Sequence, residues 1–272
     1  MITVVVPVWD DYVPFLGDCL ESIRVQRGVV VQVIVVDNAS RTPIPAVAED
    51  VEVLRLKRRV GVGEARNAAL AAARAGLVCF FDVDDRMLPG MLERMYATIE
   101  SHPNVVGVVG RHLTWDPRDG ATTDKRRLPR PIVFRISPHQ RVFALSNVIF
   151  NSFLVAGGLY RTRAVEDAGG FGAGSLGEDW LLAIGLCFRG RLVFVDEPLF
   201  LHRVAAGSLW NRRHDAPAFE ALYADARRRI AADRAVPAWV RLTLPLVHLV
   251  HRVEVRRRSR PAVAIPPAVV DV

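Results

Sequence analysis

Three carboxylates, Asp82, Asp84 and Asp85, follow the apolar run Leu77–Phe81. Acids this close repel one another unless water or a cation holds them. Hard oxygen donors of this kind suit Mg²⁺ or Mn²⁺, and Mg²⁺ keeps several waters and binds beside substrate phosphates. A solvated loop that caps the next helix would use the same residues. Placement behind a buried strand in a βαβ series favours the metal reading. A second acidic pair, Glu178 and Asp179, opens an apolar helix after a glycine-rich approach. N-capping alone accounts for acids at a helix start, yet a carboxylate held there can also take a proton from a bound hydroxyl. Between the two clusters lies Gly61-Val-Gly-Glu-Ala-Arg-Asn67. It is neither GxGxxG nor a P-loop, and a plain strand-to-helix turn would have the same form. Its helix N-terminus favours anions, and Arg66 and Asn67 stand on the first turn, where they can address a nucleotide or an acidic loop.

The elements around these residues alternate. Ile2–Val8 is a β-branched run suited to a strand buried on both faces. Phe15, Leu16, Cys19, Leu20 and Ile23 follow at helical spacing, and Val31–Val36 predicts a second strand that ends in Asp37, Asn38 and Ser40. Val51–Leu56 predicts a third strand, Glu64–Ala75 a helix, Leu77–Phe81 a strand, and Pro89 the start of a helix carrying Leu92, Met95 and Ile99. Val105–Val109 closes the series. Such an order implies a mostly parallel, right-handed α/β sheet, whose ligands gather beyond the carboxyl ends of its strands. Asp10, Asp37 and the Asp82 cluster all stand at such ends.

Further on, Asp116–Gly120 reads as a turn and Lys125–Arg130 as a basic loop. Gly157–Arg163 and Gly169–Gly177 read as irregular, Glu178–Arg189 as a helix, and Leu192–Val195 and Leu199–Arg203 as two short strands. From Ala216 an Ala/Arg helical stretch leads to a proline-rich tail. Soft boundaries fall near 110 and 215. They divide the chain into a nucleotide-binding half (1–110), an acceptor and catalytic-base half (111–215) and a C-terminal helical extension with its tail (216–272).

The chain has 272 residues, 51% of them apolar and 24% charged, with a net charge of +7. That composition excludes global disorder and permits a large core. Of the basic residues only Lys57 and Lys125 are lysines, and arginine forks suit phosphates. No aromatic platform interleaves them, so nucleic acid is not an expected partner. Cys19, Cys79 and Cys187 lie far apart and form no CxxC pair, which points to a reducing compartment. The amino terminus reads as a strand rather than a secretion signal, and no stretch approaches the roughly 18 apolar residues of a membrane span. The expectation is a cytoplasmic protein, with contact at the inner face of the membrane open to the apolar and basic stretch Leu242–Arg260. That stretch could equally be a helix packed on the domain.

Taken in order, VVVPVWDDYVPFLGDCLESIRVQ, VIVVDNAS, GVGEARNAAL, FFDVDDRMLPGML and GGFG…GEDWLLAIGLCFRG resemble the family 2 glycosyltransferases of the GT-A fold over roughly residues 1–210. The resemblance implies an inverting transferase, a hexosyltransferase in type, that uses a nucleotide-diphosphate sugar donor, a DxD motif and a divalent cation. Pro7, Val8 and Asp10 would then border the nucleobase and ribose. Asp37 would bond the base, Arg66 would hold the nucleotide and Asp82 would approach the ribose. Asp84 would bind the cation, with Asp82 beside it, and Asp179 would be the general base next to Glu178. Many relatives carry an R-x-H-x-x-S segment whose histidine helps ligate the metal. Here Ala205 stands in that place; His202, three residues earlier, is either a substitute ligand that needs a shift of the loop or a satisfied polar side chain, and Arg203 and Ser208 remain for the diphosphate. Weaker metal dependence follows. Arg126, Arg127 and Arg130 are either a solvated surface or a site for an anionic or lipid-phosphate acceptor. A binding or assembly protein with a weakened site and a sugar nucleotidyltransferase are the competing readings. The second wants a glycine-rich first turn, which Pro7–Asp11 lacks.

Overall fold

The computed structural model describes residues 1–124, 139–149, 155–173, 176–203 and 216–258. Its centre is β1 (Ile2–Val8), every residue of which is buried. The β-branched run has no polar face because both faces are covered. Val4, Val6 and Val8 pack on one side with Leu16, Cys19 and Ile23 of α1 (Leu16–Arg24) and with Leu92, Met95 and Ile99 of α3 (Met91–Glu100). Val5 packs on the other side with Ala65 and Ala69 of α2 (Val62–Leu70).

Strands β2 (Val31–Asp37) and β4 (Leu77–Phe80) flank β1 in parallel, and β3 (Val51–Arg55) extends the sheet beyond β2. The remaining strands are β5 (Arg86–Met87), β6 (Val105–Trp115), β7 (Thr122–Thr123), β8 (Leu159–Arg161) and β9 (Arg191–Arg203). Among the described residues they form one nine-stranded sheet of order β3-β2-β1-β4-β8-β6-β9-β5, with β7 paired to β6. The pairs β1–β2, β1–β4, β2–β3 and β6–β9 are parallel, while β8 runs antiparallel between β4 and β6. This is the mixed, mostly parallel α/β architecture expected. Residue 110 falls inside β6, so one sheet runs through both stretches on either side of it.

Four local readings are corrected. Gly157–Arg163 is not irregular: it contains β8 and enters α5 (Thr162–Asp167), because Leu159 and Tyr160 fill the gap between β4 and β6. Leu192–Val195 and Leu199–Arg203 belong to one 13-residue strand that bends past Pro198, where its register against β6 shifts. The helix after Pro89 starts two residues later, at Met91, behind the left-handed Gly90 (φ 80°). Helix α2 stops at Leu70 rather than Ala75, since the amides of Arg74 and Ala75 donate to the Gln32 and Thr3 side chains. The sequence reading placed no element on α4 (Gln140–Ile149).

Helix α6 (Glu178–Cys187) packs one face on the sheet and another on α7 (Ala216–Ala232), α8 (Ala238–Leu242) and α9 (Leu244–Arg258). Its near-continuous apolar sequence follows from that double burial, as a helix hydrophobic all round belongs inside. No described helix is long and apolar enough to cross a membrane.

Candidate active site

Chain order and strand order diverge at β1. From β1 the chain runs outward through β2 to β3, then crosses to β4 on the other side of β1. Neighbouring parallel strands whose connections leave in opposite directions open a crevice at their carboxyl ends. Pro7 and Val8 end β1 there, in register with Val36 and Asp37. The Asp82 cluster follows β4.

The cluster is pinned from behind. The Asp85 amide donates to the Asp82 carbonyl (3.0 Å), closing a turn. Strand β5 then pairs with Phe200 and Leu201 of β9, which carries His202 and Arg203 to the acids. Asp85 is buried and accepts from the Arg203 amide (3.1 Å) and from His202 Nδ1 (3.1 Å). Burial raises Asp85, opposed by His202. Burial lowers His202, but the Asp85 bond and charge prevail and push it up to about 9. Burial and the charges of Asp85 and Asp82 push Asp84 up to about 7. Arg203 lies between Phe15 and Trp115, at 4.6 and 4.5 Å, with its Nε on the Asp84 carbonyl (2.9 Å) and its Nη2 3.8 Å from Asp18.

The second acidic cluster meets the first through Arg66. Its guanidinium is 4% exposed and donates to Asp82 at 2.5 Å and to Glu178 at 3.3 Å, with Phe171 beneath it at 5.0 Å. Burial disfavours its charge, but Asp82 and Glu178 outweigh that and raise its pKa. Burial and the neighbouring Asp179 push Glu178 up to about 7 against the pull of Arg66. Asp179 is half-buried, with one carboxylate oxygen accepting the Trp180 amide (2.8 Å). Asp82 and Glu178, nearly a hundred positions apart, thus meet on one guanidinium.

Backbone contacts fix that approach. The Asn67 side chain pairs with the Phe171 backbone in both directions, accepting its N–H (2.9 Å) and donating to its carbonyl (3.2 Å). Gly63 lies so close to the next loop that an added Cβ would come within 2.4 Å of the Gly172 carbonyl oxygen and 3.0 Å of Glu178. Gly63→Ala is therefore expected to destabilise the protein by about 1–3 kcal/mol. Gly17→Ala, in α1 with nothing within 4 Å of its Cβ, should be neutral or stabilising. Urea unfolding of the two variants measures the contrast, and equal midpoints would contradict the close approach.

On the β2 side, Asp37 is 1% exposed and accepts from Arg55 (2.5 Å) and the Ser40 amide (2.9 Å). Asp10 accepts the Arg41 amide (2.8 Å) and lies 3.6 Å from Arg59. Asn38 bonds the Val60 backbone in both directions at 2.9 Å, tying β2 to the glycine turn before α2. Ser208, Ala205, Arg126, Arg127 and Arg130 lie outside the described residues.

Sequence reasoning missed Arg55, Asn38, Phe171 and the aromatic pair around Arg203. For Arg55 a signal existed, because it ends its strand as Asp37 ends the neighbouring parallel one, which puts the two in register. For Phe15 and Trp115, 100 positions apart, none did.

The donor chemistry suits a hard divalent cation. Among the described residues, Asp84 takes a hydrogen bond only from its own amide, and its carboxylate is crowded by two others, a repulsion that a dication relieves. No three Asp, Glu, His or Cys side chains among the described residues form a ready metal cage. A cation here would keep waters and need substrate oxygens, as Mg²⁺ and Mn²⁺ do at phosphate sites.

Residues 3–153 match the family described as Glycosyl transferase family 2. The chain is 30% identical over 209 residues to the succinoglycan biosynthesis protein ExoO of Rhizobium meliloti, covering 70% of this chain and 57% of that protein. It is 29% identical over 200 residues to the amylovoran biosynthesis glycosyltransferase AmsE of Erwinia amylovora, covering 71% of each. Among solved structures it resembles residues 1–349 of S. aureus TarS in complex with UDP-GlcNAc (TM-score 0.65, 16% identity, 95% of this chain and 89% of that one). It also resembles the mannosyltransferase PcManGT of Pyrobaculum calidifontis in complex with GDP-Man and Mn²⁺ (TM-score 0.57, 18% identity, 93% and 75%). These structures share its fold, that of the GT-A glycosyltransferases.

Proposed function

Because the chain belongs to glycosyl transferase family 2, we propose that it moves a sugar from a nucleotide-diphosphate donor to an acceptor hydroxyl, with inversion at the anomeric carbon. The observation that carries this reading is the Arg66 bridge, which holds Asp82 and Glu178 on one guanidinium; in this reading their neighbours Asp84 and Asp179 face the same donor. Complexes of fold neighbours with UDP-GlcNAc and with GDP-Man support a nucleotide-sugar donor.

In this reading the base and ribose lie along Pro7, Val8, Asp10 and Asp37, at the ends of β1 and β2. Asp82, oriented by Arg66, meets the ribose. Arg203 and Ser208 serve the diphosphate, and Arg203 is held for that role by its two aromatic neighbours. Asp84, with Asp82, would hold a divalent cation, which when bound stabilises negative charge on the departing diphosphate. His202, with Nδ1 paired to Asp85, is assigned to fixing Asp85 beneath the cluster. Asp179 takes the proton of the attacking hydroxyl, whose own pKa lies far above 7. Glu178 is tied to Arg66 and so is assigned to positioning the α6 start. In-line displacement requires base and leaving group on opposite sides of the anomeric carbon, which two clusters from different elements can provide.

Calorimetric titration with UDP and GDP, with Mn²⁺ or with a chelator, tests the donor half. One nucleotide is expected to bind, about tenfold or more tightly with Mn²⁺. A panel of sugar donors for that nucleotide then identifies the transferred group by mass spectrometry. No binding of either nucleotide under either condition would overturn the assignment.

A further inference from the structure

We infer that α8 and α9 form a docking face for an anionic lipid bilayer. Helix α9 has two apolar faces and, among the described residues, packs only one. Val247, His251 and Val255, four residues apart, are buried, and His251 Nε2 donates to the Ile149 carbonyl (3.1 Å) while the ring stacks on Tyr223 at 4.0 Å. On the opposite side Leu246 is 65% exposed, Leu249 57%, Val250 42% and Val253 59%. At about 100° per residue these four fall within an arc of about 100°. Leu242 and Trp239 of α8 are also exposed. A surface this apolar marks a binding site rather than scattered exposure, and it belongs to neither the crevice nor the core.

Charge chooses the occupant. Beside the stripe, between α7 and α9, a cleft of about 430 Å³ is lined by Arg227, His248, Arg252 and Arg256, with Tyr223 and Glu220. The sequence then continues through Arg257, Arg258 and Arg260. A symmetric contact with a second copy would crowd Arg227, Arg252 and Arg256 of one copy towards those of the other, at a cost. An anionic headgroup layer satisfies both features: the stripe enters the acyl boundary and the arginines meet the phosphates. No described helix is long and apolar enough to cross a membrane, and the proposed contact is with the bilayer surface. This inference does not depend on the transfer reading.

Flotation of the full chain with vesicles tests it. Flotation is expected with phosphatidylcholine mixed with phosphatidylglycerol, not with phosphatidylcholine alone, and should weaken as salt rises. Combining Leu246→Ser, Leu249→Ser and Val253→Ser should abolish flotation without lowering the melting temperature, since all three are exposed. Arg252→Gln with Arg256→Gln should weaken partitioning about thirtyfold. No flotation with either vesicle, equal flotation with both, or flotation that survives the serine variant would each overturn the inference. So would self-association without vesicle binding that the serine variant abolishes, which would give the face to a second copy.

Discussion

Asp84→Asn is expected to lower sugar transfer by about 10²–10³-fold and to leave the protein folded. The side chains are nearly the same size, and the change removes one of three crowded acids, so the melting temperature should not fall. Asp85 keeps its partners in His202 and the Arg203 amide, and Asp82 keeps Arg66. What disappears is a carboxylate that, among the described residues, takes a hydrogen bond only from its own amide. The effect should therefore appear as lost metal coupling: Mn²⁺ should no longer tighten nucleotide binding, while binding in chelator stays near the unaltered protein's value. A variant that transfers sugar at the original rate and still responds to Mn²⁺ would remove Asp84 from the metal role.

Asp179→Asn is the second large effect, a fall in kcat of about 10²–10⁴-fold with little change in nucleotide affinity. An amide oxygen can still accept the Trp180 N–H, so the start of α6 should survive. It cannot take a proton from the acceptor. Glu178→Gln provides the contrast. Its carboxylate holds Arg66, and its loss should affect stability and donor binding at least as much as turnover. Single-turnover kinetics separates these cases. If Glu178→Gln abolishes the chemical step and Asp179→Asn spares it, the two roles exchange.

Much of this site was legible because the chain writes its strand ends plainly. Ile2–Val8 and Leu77–Phe81 could only be buried strands, so the acids after them had to stand at carboxyl ends. The glycines at the start of α2 and before α6 signalled a close approach, and the structure shows which: Gly63, in the first turn of α2, meets the Gly172 loop. Three features could not be read from local pattern. The antiparallel insertion of β8 depends on Leu159 and Tyr160 filling a gap whose walls are β4 and β6, neither adjacent in sequence. Arg66 reads equally well as a nucleotide ligand or a structural cation, because only the fold brings Glu178 to within 3.3 Å of it. The exposed side of α9 was likewise hidden, since Leu and Val at helical spacing look the same whether or not anything covers them.

The most direct measurement is a crystal structure of the complex with Mn²⁺ and the nucleoside diphosphate that binds, with the manganese located by its anomalous signal. The account predicts one peak at the Asp84 carboxylate, bridged to the diphosphate, with Asp179 facing the same space from α6. A peak remote from Asp84, or a nucleotide bound away from the ends of β1 and β4, would contradict it.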